Sequence, residues 1–226
     1  MPAIRSIPHP DTAAILEWQR TTDAQQVYAI HTNVLARTPP GMVRADSLAH
    51  FENHVEMDGL MVACHLPDGA MVAYGVLAVA SPIVAHVAHL LRASAQRLAV
   101  LDGAAALPEW RGHCLHQAAI ARRIDHAAAL GRSMVAATVA PSNLRALRSM
   151  LRAGLTIRAY ANMYGGLARL VVTHDSMEAT RAWRHESSVA VADLASHQIM
   201  LAAGYTGYAC NQSDAGEWMI AYGHAG

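Results

Sequence analysis

The stretch Leu107-Pro108-Glu109-Trp110-Arg111-Gly112-His113-Cys114-Leu115-His116 constrains this chain more than any other. It follows an apolar, strand-like run over residues 97–106 and opens an amphipathic pattern over 116–130. A strand that turns through Pro-Glu-aromatic-Arg-Gly straight into a helix makes an anion cradle. The first backbone N–H groups of a helix have no intrahelical partner, and the helix dipole places partial positive charge at that end. A phosphate or pyrophosphate is the natural occupant, and Arg111 adds a full positive charge. The same turn could also be a plain strand-to-helix connection, because short motifs recur by chance.

Around this turn the chain divides readily. Residues 3–7 read as a strand, broken by Pro8-His9-Pro10, and Asp11 can cap a helix running to about Trp18. Helices follow over 22–36 and 47–57, with Pro39-Pro40-Gly41 between them. Two apolar runs, 60–66 and 71–80, flank Pro67-Asp68-Gly69 and predict a hairpin. Residues 82–95 read as a helical or irregular insertion. A strand over 133–140 precedes a helix opened by Pro141-Ser142-Asn143 and closed at Gly154-Leu155. Strands over 157–162 and 167–173 are joined by Met163-Tyr164-Gly165-Gly166. Beyond Asp175, residues 176–188 read as a polar linker. A helix over 193–203 and a hairpin over 205–210 and 217–222 follow. No internal repeat is evident.

Composition bounds the function. The length of 226 residues supports one substantial core, or a domain with an appendage. No apolar run reaches the ~20 residues that span a bilayer. Met1-Pro2-Ala3-Ile4-Arg5 lacks the apolar core of a signal peptide, so a cytoplasmic location without membrane attachment is expected. The net charge is zero and like charges do not cluster, which argues against nucleic acid as a partner. Cys64, Cys114 and Cys210 are odd in number and far apart, so no disulfide framework is expected.

The run from Leu107 resembles the acetyl-CoA-binding signature of the GNAT (GCN5-related) N-acetyltransferases, Arg/Gln-x-x-Gly-x-Gly/Ala after the fourth strand. Asn143-Leu144-Arg145-Ala146, ending at Gly154-Leu155, is similar to that family's Asn-x-x-Ala…Gly-aliphatic segment. The resemblance covers residues 1–175 and leaves 176–226 as a C-terminal extension. It implies an α/β (α+β) fold: a mixed, mostly antiparallel twisted sheet flanked by helices, followed by a small helix-hairpin unit. It also implies acetyl-CoA or another acyl-CoA as co-substrate. Its pyrophosphate would lie at Arg111, Gly112, His113, Cys114, Leu115, His116 and Gln117, with Asn143 nearby. Its thioester would lie along Ala104, Ala105, Ala106 and Leu107, where a strand N–H serves as oxyanion donor. The helices before residue 58 would build the acceptor pocket, with Glu17, Asp23, Glu52, Glu56 and Asp58 as candidate contacts for a cationic acceptor.

Three positions depart from the pattern. Cys114 and His116 stand where Gly, or Gly and Ala, are usual, and their side chains must point away from the phosphates. Met150 stands where many members carry a Tyr as general acid, and Met cannot donate a proton.

The candidate proton-handling residues are therefore others. Asp102, on the strand before the cradle, can serve as general base if burial raises its pKa toward neutral, or can simply start the bend at Gly103. Tyr164 can protonate the leaving thiolate, or can pack on the core with its hydroxyl in water. Tyr160 is a weaker candidate. Cys114 at a helix N-terminus beside Arg111 has the setting of a nucleophile, but lies where the pyrophosphate belongs. His113, Cys114 and His116 could ligate a metal, as could the pairs His50/His54 and His86/His89; no metal is expected.

The resulting expectation is transfer of an acyl group, most simply acetyl, to a primary amine of a small molecule by direct attack in a ternary complex. The rivals are a non-catalytic acyl-CoA sensor, favoured by Met150 and the missing glycines, and a GNAT-fold enzyme with decarboxylase or metal-assisted chemistry. The extension could extend the sheet, cover a sheet edge or pair with a second copy in a homodimer.

Overall fold

The computed structural model describes residues 16–57, 59–178 and 182–225. The strand expected at 3–7, nearly all of the helix after Asp11, and Asp58 lie outside these residues. The end of that expected helix is instead strand β1 (Glu17–Arg20), because Trp18 pairs with Cys64 and packs its indole on the core. The remaining elements up to residue 175 follow the sequence closely. They are α1 (Ala24–Leu35), α2 (Leu48–Glu56), β2 (Leu60–His65), β3 (Met71–Ala78), α3 (Pro82–Leu91) and β4 (Leu98–Ala106). Then come α4 (Leu115–Ala129), β5 (Met134–Val139), α5 (Leu144–Arg152), β6 (Thr156–Met163) and β7 (Leu167–Asp175). Side-chain caps fix the starts of α1 and α5: Asp23 accepts from the Gln26 amide and Asn143 from the Ala146 amide.

All strands join one sheet, ordered β1-β2-β3-β4-β5-β7-β6 and then through the C-terminal strands. Only β4 and β5 run parallel, and they pair only from Leu98↔Met134 to Leu101↔Ala137. Beyond that point β4 stays with β3 as far as Ala106, and β5 stays with β7 as far as Val139. The two strands therefore part and leave a V-shaped cleft. A bulge marks the parting: between Gly75↔Ala104 and Leu77↔Leu101, Asp102 and Gly103 together oppose Val76. Gly103 adopts φ 120°, a conformation closed to other residues. Helices α4 and α5 cover one sheet face over Leu77, Leu101, Ala137 and Leu170. On the other face α1 and α2 pack over Met61, Tyr74 and Val76, and α3 over Val100 and Val171.

The C-terminal part departs from expectation in two ways. The polar run expected as a linker contains strand β8 (Trp183–Ala190), whose outward residues mimic loop composition because β8 lies at the sheet edge. It is followed by α6 (Leu194–Ala202), β9 (Thr206–Gln212) and β10 (Trp218–Ala225). The second difference is an internal repeat. The order β8-α6-β9-β10, paired β8·β10·β9, reproduces β5-α5-β6-β7, paired β5·β7·β6.

Equivalent residues lie fifty positions apart. Met150-Leu151 corresponds to Met200-Leu201, Thr156 to Thr206, and the left-handed Gly154 and Gly166 to Gly204 and Gly216. The caps correspond as well, since Asp193 accepts from the Ser196 amide. The two units meet where β6 faces β9 antiparallel, and the bridging pair, Ile157↔Gly207, is itself an equivalent pair. Helix α5 packs on β9 while α6 packs on β6. The join is thus a local two-fold, with the second unit lying along the β6 edge.

Candidate active site

The cleft between β4 and β5 is open toward both sheet faces. Its α1–α2 side carries His31, Arg44, Asp46, Tyr74, Asp102, Tyr164 and Arg169; its α4–α5 side carries Gly103, Ala104, His116, Arg123, Asn143 and Met150. Peptide direction on β4 decides what the strand offers. The Leu107 amide donates to Val72 O at 2.9 Å, so by antiparallel alternation the Ala105 and Leu107 amides face β3. Those of Ala104 and Ala106 face the side that β5 has left. Three successive alanines keep that wall clear of bulk.

Asp102, buried at the bulge, is the centre of the polar cluster. Its Oδ1 accepts from Arg44 Nη2 at 2.9 Å and its Oδ2 from His54 Nε2 at 3.1 Å. Arg44 also pairs with Asp46 and donates to His50 Nε2 at 3.1 Å. Burial alone would raise the Asp102 pKa, but the His54 hydrogen bond and the Arg44 charge outweigh it, and the carboxyl sits below its ordinary value. The sequence expectation of a raised pKa is thus overturned: Asp102 is a firmly ionised carboxylate. Burial likewise opposes the Arg44 charge, and Asp102 and Asp46 outweigh it.

The tautomer of His31 follows from its partners. The Asp46 amide donates to Nε2 at 3.0 Å, so the ring proton lies on Nδ1 and is given to the Tyr74 hydroxyl at 2.8 Å. Burial lowers the His31 pKa and keeps the ring neutral. Tyr74 keeps its own O–H for the cleft, where no described residue accepts it, and burial drives its phenol pKa upward. Across the cleft, the Tyr164 hydroxyl shares a hydrogen bond with Thr138 Oγ1 at 3.0 Å. Two guanidinium groups lie over its ring, Arg44 at 4.9 Å and Arg169 at 5.6 Å from the centroid. Met150 forms part of the opposite wall with no proton to give.

The turn into α4 has the expected form. Gly112 (φ 90°) and Cys114 (φ 56°) are left-handed, and no side chain caps the helix. The N–H groups of its first turn are therefore free of side-chain acceptors. The Arg111 pKa is lowered by burial and then by two cationic neighbours, Arg145 and Arg37. Glu109 opposes them and pairs with Arg37 at 3.7 Å, so among the described residues Arg111 and Arg145 carry the unmatched positive charge near this turn. His113 points back to Trp110 O (3.2 Å), Cys114 is exposed, and His116 enters the cleft, where burial and Arg123 lower its pKa to about 4. The three do not gather into a ligand set. Leu115 is buried in the core, Gln117 follows in the same helical turn, and Asn143 uses its side-chain oxygen to cap α5.

Among the described residues, His50, His54 and Asp102 alone bring metal-ligand types together, with donor atoms within 4.8 Å of one another. Arg44 fills that group, donating to both His50 and Asp102. A metal ion would meet a guanidinium and find donor lone pairs already in use, so these residues form an ion-pair network and do not fit a metal. No described helix is long and apolar enough to cross a membrane.

Arg44, His31, Tyr74, Arg123, Arg145 and Arg169 were not singled out by the sequence. Arg123 did carry a signal, since it interrupts the apolar face formed by Ile120 and Ala127. The i, i+4 pair His50/His54 was visible as a pair, but not its carboxylate.

No family model and no curated protein matches this chain. Solved structures do. yncA from Salmonella typhimurium, determined with its cofactor acetyl-CoA, aligns with a TM-score of 0.56 at 14% identity, over 74% of this chain and 96% of its own. A GNAT-family acetyltransferase from Streptococcus pneumoniae aligns at 0.55 and 14% identity, over 71% and 98%. The GNAT-superfamily phosphinothricin acetyltransferase from Sinorhizobium meliloti, in complex with acetyl-CoA, aligns at 0.54 and 15% identity, over 71% and 88%. The chain has the fold of the GNAT acetyltransferases.

Proposed function

We propose that this protein is an acyl-CoA-dependent N-acyltransferase that acylates a primary amine of a small molecule, with acetyl-CoA as the simplest donor. The parted β4–β5 pair carries the reading. It joins unpaired strand amides at Ala104 and Ala106 to an uncapped helix start flanked by Arg111 and Arg145. The pyrophosphate would take the Gly112-to-Leu115 amides and their arginines, and the thioester carbonyl would take a β4 amide. Two of the similar structures hold acetyl-CoA, which supports acetyl-CoA as the donor.

In the reaction the ammonium first loses one proton to solvent, the amine nitrogen bonds to the thioester carbon, the carbon–sulfur bond breaks, and a second proton lost from the nitrogen is balanced by one delivered to the sulfur. Asp102, held ionised, supplies the fixed negative charge that orients the acceptor nitrogen, and the proton leaves through water. Tyr164 returns a proton to the thiolate. Arg44 couples the two residues, being bonded to Asp102 and stacked over Tyr164.

Calorimetric titration with acetyl-CoA, followed by thiol release against a panel of amines, tests the reading. Micromolar binding and amine-dependent release are expected, and failure to bind acetyl-CoA overturns it. Met150 at the cleft wall favours a second reading, a sensor without turnover. Tight binding with no release for any amine selects that one.

A further inference from the structure

Arg123 and Arg169 are the cleft arginines for which the described residues supply no carboxylate; Arg169, on the α1–α2 side, donates to the Ala168 and Gly41 carbonyls, whereas Arg123 stands alone on the α4–α5 side. Its side chain is buried, with the residue 1% exposed. Three hydrogen bonds hold it, all to carbonyl oxygens: Nε to Ala119 at 2.8 Å, and Nη1 to Val76 at 2.9 Å and to Gly103 at 3.0 Å. The last two tie it across the β3–β4 bulge. Nη2 has no partner among the described residues. It is also absent from the sealed, unpartnered polar atoms, which are Ser81 Oγ and Arg148 Nε, so it borders the cleft. Arg44 differs, being matched by Asp46 and Asp102.

The fold makes room for this group. A Cβ on Gly75 would lie 2.8 Å from Arg123 Nε and 2.9 Å from Cζ, so only glycine fits beneath the guanidinium. Burial lowers the Arg123 pKa to about 9, partly countered by Tyr74. His116, seven residues earlier on the same helix face, stays neutral and adds no opposing charge. A buried cation without a counter-ion is costly, and an entering anion gains what the cation lacks.

We propose that Arg123 anchors a carboxylate at the far end of the acyl group, so that the donor is the CoA thioester of a short dicarboxylic acid such as succinate. This rests on the acyl-CoA reading of the cleft. The position selects the acyl group over the acceptor. Arg123 reaches the cleft from α4 and holds the carbonyl of Gly103, next to the Ala104 amide offered to the thioester. An acceptor would enter past Arg44 and Arg169, on the opposite sheet face.

The test is calorimetric titration of the full chain, without acceptor, with succinyl-CoA, butyryl-CoA and free succinate. Butyryl-CoA matches the succinyl chain length without its charge. At least tenfold tighter binding of succinyl-CoA than butyryl-CoA is expected, with no measurable binding of free succinate. Arg123→Met should abolish the preference while butyryl-CoA still binds. Gly75→Ala, which keeps the charge but displaces the guanidinium, should weaken the preference and serves if Arg123→Met does not fold. Equal binding of the two thioesters to the unaltered protein, or a preference that survives Arg123→Met, overturns this inference alone. Failure of every thioester to bind overturns the acyl-CoA reading and this inference with it. Binding of free succinate as tight as that of succinyl-CoA would make the site one for a separate anion and overturn the donor assignment.

Discussion

His54 Nε2 lies 3.1 Å from Asp102 Oδ2, joining helix α2 to the bulge of β4 across 48 positions of sequence. With Arg44 on the other oxygen, the carboxylate is held ionised and aimed at the parting of β4 and β5. Asp102→Asn keeps the shape but removes the charge. It should leave acetyl-CoA affinity within about twofold and lower amine-dependent thiol release by about 10- to 10²-fold, the range for losing a hydrogen bond to a charged group. Thiol-release kinetics beside calorimetry separates the two effects, and full turnover by the asparagine variant would remove Asp102 from the chemistry.

Stability should fall toward acid in two stages. His31, His116 and His197 all have pKa values lowered by burial, His116 from 6.5 to about 4. Below pH 6.5 the unfolded chain binds protons that the folded chain refuses, so stability is full above that pH and declines toward pH 4. Asp102 acts below that window. Its depressed pKa gives stability that is present above the ordinary carboxylate value and is lost as pH falls through the lower folded value. Urea unfolding at pH 7.5, 6 and 5 should show the midpoint dropping across the histidine window, less steeply in His116→Phe.

Much of this was legible in the chain, and the exceptions have physical causes. The strands and helices between residues 60 and 175 stand out because continuous apolar runs change to helical period at Gly, Pro and Asn. The α4 turn stands out because Arg111-Gly112 sits between an apolar run and an amphipathic one. Strand β8 was hidden because an edge strand with a wetted face has the composition of a linker. The repeat was hidden because what it preserves is caps, turns and a few core positions. The surfaces around these differ, as in Arg148 against Gln198. The Asp102 pKa was misjudged because its sign depends on two partners, Arg44 and His54, that only the folded chain brings near.

The phosphate end gives a direct measurement. Arg111 and Arg145 lie close enough to depress the Arg111 pKa, as two groups poised for one anion would. Arg111→Ala should weaken acetyl-CoA binding by about 1.5–3 kcal/mol, the range for hydrogen bonds to charged groups. Arg145→Ala should weaken it less, and raising salt from 50 to 500 mM should shrink both effects. Unchanged affinity in Arg111→Ala, by calorimetry at low salt, would place the pyrophosphate elsewhere.

The join of the two repeats offers the last measurement. At the local two-fold a Cβ on Gly207 would lie 2.8 Å from Ile157 Cδ1, 3.0 Å from Ile157 Cβ and 3.2 Å from Ile220 Cγ2. The Cδ1 methyl can swing aside, but Ile157 Cβ is fixed to the backbone, so an added methyl must push β6 and β9 apart. Gly207→Ala should therefore destabilise the protein by about 1–3 kcal/mol, the usual cost of overpacking a filled core. Ile157→Val, which removes the Cδ1 methyl, should cost about 0.5–1.5 kcal/mol alone. The double variant should be more stable than the two separate losses would give, a coupling that independent sites do not show. Chemical denaturation of the four proteins measures it. Strict additivity would mean that β6 and β9 do not meet at this pair, and that the C-terminal unit is attached to the sheet in some other way.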